Sequence, residues 1–515
     1  MFRPVWLHAG EALSNNASAV KVIQGLAWTM TTSIGVRGLQ VVGTLLLTHL
    51  LMPDIMGEVV NAAILTMTIN RFAMVGVPNY IITRQKLDEG LVWHGTVAVF
   101  IIGVALIALS FAAGPWLGPL LVTWLKSPNL VRYIPGLLLS AMMFRMAVIP
   151  ERLLQRDMKF RTVSLVRAVS ETSYTVSSLA FAYAGAGGMA IVYANITRTA
   201  LALLLMAREV RTADWLKPHP LRRETFRAMF AFGVPLSLAI LLAYASRSWD
   251  NLAISAIFGA TVVGMYNLAY NLADIPATQV GEQIIDVLTP SMSQMDGEAR
   301  KDELVRSTAL SALVVFPLAV GLGAISETLV RSLLSEKWAG VGPMLTILSA
   351  LAVVRPIGWT IGMYLQATDR TNANLWLGSL HVIALFGSIA AFGLTLGPLW
   401  ACVGVGASFA LHAAASVWYV GHHDGIGARR FAKGFFLPLL SCVPMVGAVL
   451  GVRYGLAALG FWVRGVNLAL EFVAGALSYV LAALTIGRPI SRELISLVGE
   501  AMRKRKGKRS APSAA

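Results

Sequence analysis

Apolar residues occur along this chain in long runs, and short polar segments separate them. A helix needs about 20 predominantly apolar residues to cross the hydrocarbon core of a bilayer. Runs of that length predict transmembrane helices, and the chain has about fourteen of them. A shorter apolar stretch at 115–125 is expected to form an interfacial helix. The predicted spans are 26–49, 57–81, 91–113, 131–150, 162–184, 188–207, 227–247, 252–275, 307–325, 341–366, 375–396, 398–420, 434–454 and 463–486.

The composition leads to the same class of protein. Hydrophobic residues make up 56% of the 515 residues, charged residues only 13%, and the mean hydropathy is +0.68. A soluble chain has roughly a quarter of its residues charged, and this one has too little polar surface to cover its apolar mass. We therefore predict an all-α polytopic membrane protein, without a loop long enough to fold as a soluble domain.

Charged residues are concentrated in alternate loops. One set of loops carries most of the arginine and lysine, whereas the loops near 50–56, 184–188 and 394–398 are almost uncharged. Because basic loops stay in the cytoplasm, we predict an even number of spans, both termini cytoplasmic, and no cleaved signal peptide. The net charge of +16 is explained by this topology and by anionic membrane lipids near the basic tail. No nucleic-acid partner is expected.

A partial internal repeat divides the chain. The segment around Gly57 has a counterpart around Gly264, 207 residues later, and the Leu-Gln pair ending at Gln155 has one ending at Gln366, 211 residues later. "KLDEG" at 86–90 and "SQMDGE" at 293–298 keep nearly the same offset. An offset of an even number of spans inserts both copies in the same direction, as in transporters built from two parallel bundles. The repeat therefore predicts two six-helix lobes followed by two further helices.

The domain limits follow from the repeat and from the basic loops. They are a cytoplasmic N-terminus at 1–25, a first lobe at 26–210, a cytoplasmic linker at 211–226, a second lobe at 227–421, two extra helices within 434–486, and a basic cytoplasmic tail at 487–515.

Three segments resemble a known family. They are "LLMPDIMG" at 50–57, "RLLQRDMKFR" at 152–161 and "WDNLAISAIFGATVVGMYNLAYNLADIP" at 249–276. Together they resemble the polysaccharide-transporter branch of the multidrug/oligosaccharidyl-lipid/polysaccharide exporter superfamily, and within it the Wzx-type flippases of the colanic-acid-exporter kind. The chain departs from the usual family text at "DIM" and at "AISAI". The resemblance covers about 20–420 and implies the fold and the lipid-linked glycan substrates of that family.

Arginines within the spans are the main candidate binding residues. An ionisable group at the centre of a membrane helix costs about 2.5–3.5 kcal/mol on insertion scales, so each one needs a specific explanation. Arg37, Arg71 and Arg198 lie near the centres of apolar runs, and we predict that they line a cationic cavity without a carboxylate partner in the protein. A guanidinium presents a planar fork of donors that suits phosphate and carboxylate oxygens. Arg145 and Arg355 complete the predicted substrate-binding set.

The remaining charges leave alternatives open. Arg145 lies close enough to a basic loop to extend to the surface instead, and a helix kink could be the whole context of Arg355. Arg167 and Glu171, four residues apart on one helix, are predicted to neutralise each other. Glu171 and Asp250 are candidates for ion coupling, and an interfacial ion pair is the alternative for Asp250.

Motifs for catalysis or for a cofactor are absent from the sequence. There is no Walker A lysine, G-x-S-x-G or H-E-x-x-H motif, and the cluster at 422–424 lacks a further anchor for a metal. Cys402 and Cys442 lie in apolar runs and have no metal-ligand spacing. We therefore expect no catalytic residue, no cofactor, no metal site and no ATP-driven transport, and we do not expect an enzyme.

These residues and the resemblance together predict a flippase. It would move an undecaprenyl-pyrophosphate-linked oligosaccharide, a repeat unit of exopolysaccharide or O-antigen, across the bacterial inner membrane by alternating access. A polysaccharide polymerase and export machinery are candidate partners. The alternatives are a lipid II flippase, which shares the fold, a cation-coupled multidrug antiporter, which would require an acidic cavity, and a membrane glycosyltransferase or polymerase, which usually has a large extracytoplasmic loop.

Overall fold

A computed structural model describes residues 35–74, 76–83, 89–274, 292, 295–493 and 496. The predicted cytoplasmic N-terminus, the start of the first predicted span and the tail beyond 496 lie outside the described residues. So do 86–88 and 293–294, which belong to the weak match between 86–90 and 293–298. Within the described part of the chain all regular elements are helices.

Helices account for most of the described residues. In chain order they are α1 (35–50), α2 (Pro53–Ala73), α3 (Val77–Thr83), α4 (Glu89–Leu125), α5 (Leu130–Arg156), α6 (Phe160–Tyr183), α7 (Met189–Glu209), α8 (Thr212–Leu216), α9 (Arg223–Phe258), α10 (260–274), α11 (Gly297–Leu333), α12 (Val341–Leu351), α13 (Arg355–Ala367), α14 (Thr371–Leu396), α15 (Pro398–Asp424), α16 (Ala428–Ala458) and α17 (Val466–Thr485), with 3-10 turns at Glu336–Trp338 and Ala352–Val354.

Eleven helical segments among the described residues are long and apolar enough to cross a membrane. Helix α6 is not one of them, because Arg161, Arg167, Glu171 and several serines lower its hydropathy. The protein is therefore an all-α polytopic membrane protein, and the predicted fold class is confirmed.

Two predicted boundaries are wrong. The gap expected between the spans at 227–247 and 252–275 does not exist, because α9 runs without interruption to Phe258. Charged residues near 250 interrupt the apolar pattern without breaking the helical hydrogen bonds; the helix ends only at Gly259, whose φ of +89° favours glycine. Residues 115–125 are not a separate interfacial helix but the last part of α4, which continues through Pro115 and Pro119.

Both copies of the repeat contain the same local structures. Helix α1 ends at 50 and α2 begins at Pro53, just as α9 ends at Phe258 and α10 begins at 260. Later in each copy, the third residue after the Leu-Gln pair is a non-glycine residue with a positive φ: Met158 at 58° and Asp369 at 56°. The next amide donates back to the leucine of the Leu-Gln pair, at 2.9 Å from Lys159 and 2.8 Å from Arg370. Identical turns at equivalent positions support the repeat inferred from the sequence.

The described residues form two compact units, one up to Gly264 and one from Met265. A core in the first unit is built from α1, α2, α5 and α7, and includes Leu47, Val59, Leu130 and Val192. In the second unit, Phe316, Cys442 and Tyr479 belong to a core that joins α11, α16 and α17. The domain limits given above stay a prediction.

Candidate functional site

Glu171, near the middle of α6, joins three helices of the first unit. Its carboxylate accepts a hydrogen bond from Gln40 Nε2 on α1 at 2.7 Å and forms an ion pair with Arg198 Nη1 on α7 at 3.1 Å. The side chains of Arg198 and Glu171 are 24% and 26% exposed. A charge held in a membrane helix is stabilised by such a partner, so the described protein neutralises Arg198 itself.

The close approach of α1 to α6 depends on a glycine. A Cβ atom at Gly43 would lie 2.4 Å from Cγ2 of Thr175, so no larger residue fits there without a shift. Gln40 lies one turn before Gly43, and Glu171 lies one turn before Thr175. Residues one turn apart share a helix face, so this contact brings the amide of Gln40 to the carboxylate of Glu171.

Two neighbours fix the guanidinium of Arg198. Asn195 Oδ1, one turn earlier on α7, accepts from Nη2 at 3.0 Å, and the Tyr174 ring lies 5.5 Å from the guanidinium carbon. The prediction that Arg198 has no carboxylate partner is therefore wrong. Sequence spacing did not show this, because Glu171 lies on another helix.

The predicted pairing of Arg167 with Glu171 is also wrong. Arg167 forms its ion pair with Glu151 on α5, and Glu151 accepts a second hydrogen bond from Gln155 at 3.0 Å. Two charges four residues apart on a helix attract each other only weakly. Here both charges pair with residues on neighbouring helices instead: Arg167 with Glu151, and Glu171 with Arg198.

Arg37 and Arg71 have exposed side chains on α1 and α2. Arg37 lies one turn before Gln40 on α1. The guanidinium carbon of Arg71 lies 5.8 Å from the Tyr244 ring, a cation–π contact. Among the residues that the structure describes, neither arginine pairs with a carboxylate, so both charges can accept an anionic partner from outside the described protein.

Arg145 is buried within the first unit. Its side chain is 1% exposed, and none of its three nitrogens has a hydrogen-bond partner among the described residues. It reaches the backbone of α4, where a Cβ at Gly103 would lie 3.4 Å from Nη2. Of the two alternatives left open above, extension to the surface is excluded by this burial.

Arg355, the counterpart of Arg145 in the repeat, lies in the second unit and is 6% exposed. It forms an ion pair with Asp274 on α10. Its guanidinium carbon lies 5.1 Å from the Tyr270 ring and 4.6 Å from the Phe409 ring. Arg355 therefore has a specific electrostatic environment in addition to any effect of the proline that follows it.

Asp250, the second candidate for ion coupling, does not lie at a helix end. It lies within α9 and is 1% exposed, and its Oδ1 accepts from the backbone N–H and the side-chain amide of Asn251, each at 2.9 Å. The expectation that Asp250 lies at one end of a span is wrong, because α9 continues past this residue to Phe258.

Two histidines were missed by the sequence analysis. His381 on α14 and His412 on α15 stack with ring centroids 5.0 Å apart. They are 31 residues apart, so no short motif shows them together. The signal that could have found them is the presence of ionisable residues inside two apolar runs.

A cavity in the second unit is lined by charges of both signs. It measures about 660 Å³, with Asp302, Glu303 and Glu493 facing Arg306, Arg430 and Lys433. Equal numbers of carboxylates and cations do not favour an anionic ligand. Among the described residues there is no group of three or more histidine, cysteine or acidic side chains placed to hold a metal ion.

Sequence comparisons place the chain among polysaccharide biosynthesis proteins. A family model with the description "Polysaccharide biosynthesis protein" matches residues 46–343. The succinoglycan biosynthesis transport protein ExoT of Rhizobium meliloti (strain 1021) is 25% identical over 505 residues, covering 94% of this chain and 97% of that protein. The lipopolysaccharide biosynthesis protein WzxC of Escherichia coli (strain K12) is 23% identical over 392 residues, covering 74% of this chain and 78% of that protein.

A solved structure shares the fold. The lipid II flippase MurJ in an inward closed conformation superposes with a TM-score of 0.72 at 13% identity, and the match covers 90% of this chain and 99% of that one. At that level of identity the likeness concerns the arrangement of helices alone.

Proposed function

This chain belongs to the polysaccharide biosynthesis protein family, and from that premise we propose that it is a flippase that moves an undecaprenyl-pyrophosphate-linked oligosaccharide across the inner membrane. The fold shared with a known flippase supports movement by alternating access. The oligosaccharide would be a repeat unit of an exopolysaccharide or of O-antigen.

Arg37 and Arg71 carry the proposal within the structure. Both are exposed cations, Arg37 on α1 and Arg71 on α2, and neither pairs with a carboxylate among the described residues. A pyrophosphate group offers the paired oxygens that a guanidinium binds in a bidentate manner. Contact with these arginines would lower the cost of drawing the charged headgroup across the hydrocarbon layer, which is the hardest step for a flippase.

Arg198 has a conditional role in this proposal. Glu171 neutralises it, so Arg198 binds the headgroup only after the anion displaces that carboxylate. The displaced carboxylate stays on α6 and has to be compensated there, because an unpaired charge in a membrane helix is costly. Arg145 and Arg355 complete the proposed set, and Glu171 and Asp250 stay candidates for ion coupling.

The topology and the partners are also part of the proposal. The alternation of basic loops supports a topology with both termini in the cytoplasm. A polymerase with its export machinery would receive the translocated unit. Reporter fusions at Arg156, Arg222 and Arg430 should report cytoplasm, whereas a fusion at Gly187 should report the opposite side. A cytoplasmic signal at Gly187 would contradict this topology.

Deletion of the gene tests the function. Lipid-linked oligosaccharide should accumulate on the cytoplasmic leaflet, where a glycosidase added to intact spheroplasts does not reach it, and surface polymer should be lost. The wild-type gene should restore both. If deletion instead traps the lipid-linked cell-wall precursor, the protein is a lipid II flippase, and if neither lipid accumulates the proposal is wrong.

A further inference from the structure

His381 on α14 and His412 on α15 form a pair of imidazoles inside the second unit. Their rings stack at 5.0 Å with planes 28° apart, and His381 is 6% exposed. Both helices are long and apolar enough to cross the membrane. An ionisable residue at such a position is costly to keep and usually has a function.

Packing does not account for the imidazoles. The polar contact of His381 is Ser408 Oγ, 3.5 Å from Nε2 and at the limit of a hydrogen bond, and His412 has no hydrogen bond among the described residues. A phenylalanine would fill the same space without placing an ionisable ring in an apolar helix. The protein makes room for His412, because a Cβ at Gly358 would lie 3.0 Å from its Nδ1.

The pair is linked to a charged group through an aromatic ring. The Phe409 ring lies 4.6 Å from His381 and also 4.6 Å from the guanidinium carbon of Arg355. Arg355 on α13 is in turn paired with Asp274 on α10. The titratable and charged groups around His381 are therefore His412, Arg355 and Asp274, the ion-pair partner of Arg355. While both histidines are neutral, the opposite charges of Arg355 and Asp274 cancel.

We propose that His381 and His412 form a binding site for one proton that couples translocation to the pH gradient. This inference rests on the proposed flippase function. A second proton is excluded because the first proton and Arg355 both repel it. Imidazole nitrogen binds a proton readily, whereas hard cations such as sodium prefer oxygen ligands, so a proton fits this pair better than a sodium ion.

The bound proton acts on the contact between α10 and α13. A positive charge beside Phe409 repels the guanidinium of Arg355 and also attracts the carboxylate of Asp274. The Arg355–Asp274 pair, which joins the two helices, is weaker in the protonated state. A conformation with the Arg355–Asp274 pair formed and one with it broken then differ in the proton affinity of the two histidines. Such a difference in affinity couples proton binding to the conformational change.

The test measures how lipid-linked oligosaccharide, extracted from the deletion strain, distributes between the leaflets of proteoliposomes that contain the full-length protein. With one proton per translocation, an imposed gradient of about one pH unit should shift the steady-state distribution by about tenfold. A sodium gradient should not shift it. In His381→Gln and in His412→Gln the pH gradient should no longer shift the distribution. If either glutamine variant fails to accumulate, His381→Phe or His412→Phe replaces it in the test, because phenylalanine keeps the ring packing.

His422 and His423, which are exposed at the end of α15, the helix of His412, are the matched control. His422→Gln and His423→Gln should keep the wild-type shift. The proposal is overturned if the His381 and His412 variants respond like the wild type, if Glu171→Gln alone removes the response, or if the wild type translocates the lipid but ignores the pH gradient. That last result would leave the flippase function intact, whereas a wild type that translocates nothing would reject both.

Discussion

Gly57 on α2 and Gly264 on α10, the equivalent glycines of the internal repeat, lie against each other's helices. A Cβ atom at Gly57 would lie 1.9 Å from the carbonyl oxygen of Ala260, and one at Gly264 would lie 2.0 Å from the carbonyl oxygen of Pro53. The two helices therefore cross with their backbones in contact, as small residues allow in membranes. The sequence repeats this glycine because each copy supplies one side of the same crossing.

The first prediction follows from that crossing. Gly57→Ala or Gly264→Ala should force backbone atoms apart and cost at least about 1–3 kcal/mol, the range for overpacked sites. Thermal unfolding of the detergent-solubilised protein measures this loss. Gly378→Ala on α14 is the control, because a Cβ there meets nothing within 4 Å and alanine favours a helix. Equal stability of all three variants would contradict the close crossing.

Arg198→Ala should lower the amount of folded protein in the membrane. It leaves Glu171 without its arginine, and because the pair is partly exposed we expect a loss of about 2 kcal/mol, below the 3–5 kcal/mol of a fully buried pair. The double variant Arg198→Ala/Glu171→Gln should recover protein level without recovering export. Quantitative immunoblots and polymer assays distinguish the two effects, and a double variant no better than the single one would argue against the pairing.

Arg37 and Arg71 should behave differently from Arg198. Alanine at either position should abolish export while protein levels stay near normal, since no described carboxylate is stranded. Lysine should retain part of the export, because it keeps the charge but loses the bidentate fork. Arg208→Ala, at the exposed end of α7, is the control. Normal polymer export from the Arg37→Ala/Arg71→Ala double variant would show that these cations do not bind the headgroup.

Arg453 and Glu471 should determine how the last two helices attach. Glu471 on α17 is 1% exposed and accepts from Thr328 Oγ1 at 2.6 Å and from Arg453 Nη2 at 2.8 Å. Arg453→Ala should destabilise the protein by about 3–5 kcal/mol, because it leaves a buried carboxylate unpaired. Glu471→Gln in the same chain should restore most of that stability in denaturant unfolding.

Arg464, in the exposed connection between α16 and α17, offers the comparison for this pair. Arg464→Ala should leave the unfolding midpoint within experimental error. If Arg464→Ala destabilised the protein as much as Arg453→Ala, loss of any positive charge near these helices would be destabilising. The pair between Arg453 and Glu471 would then not be the specific cause.

Most helices could be predicted from the sequence because the hydropathy needed to cross a bilayer is a property of consecutive residues. The prediction failed near Asp250, where a buried aspartate was read as the end of a span although α9 continues to Phe258. A charge raises the cost of a helix in the membrane without removing its backbone hydrogen bonds. Gly259, with its positive φ, was the more reliable indication of the break.

The sequence by itself determined the class of protein, the parallel repeat and which helices carry charge, because each of these depends on residues read in order. Only the tertiary structure decided which charges meet. Glu171 has Arg167 four residues away on its own helix, yet Arg198 on α7 and Gln40 on α1 are its partners, and His381 meets His412 on the next helix. A side chain can face any of several neighbouring helices, and the choice among them is set by how those helices pack, through small residues such as Gly43 and Gly358.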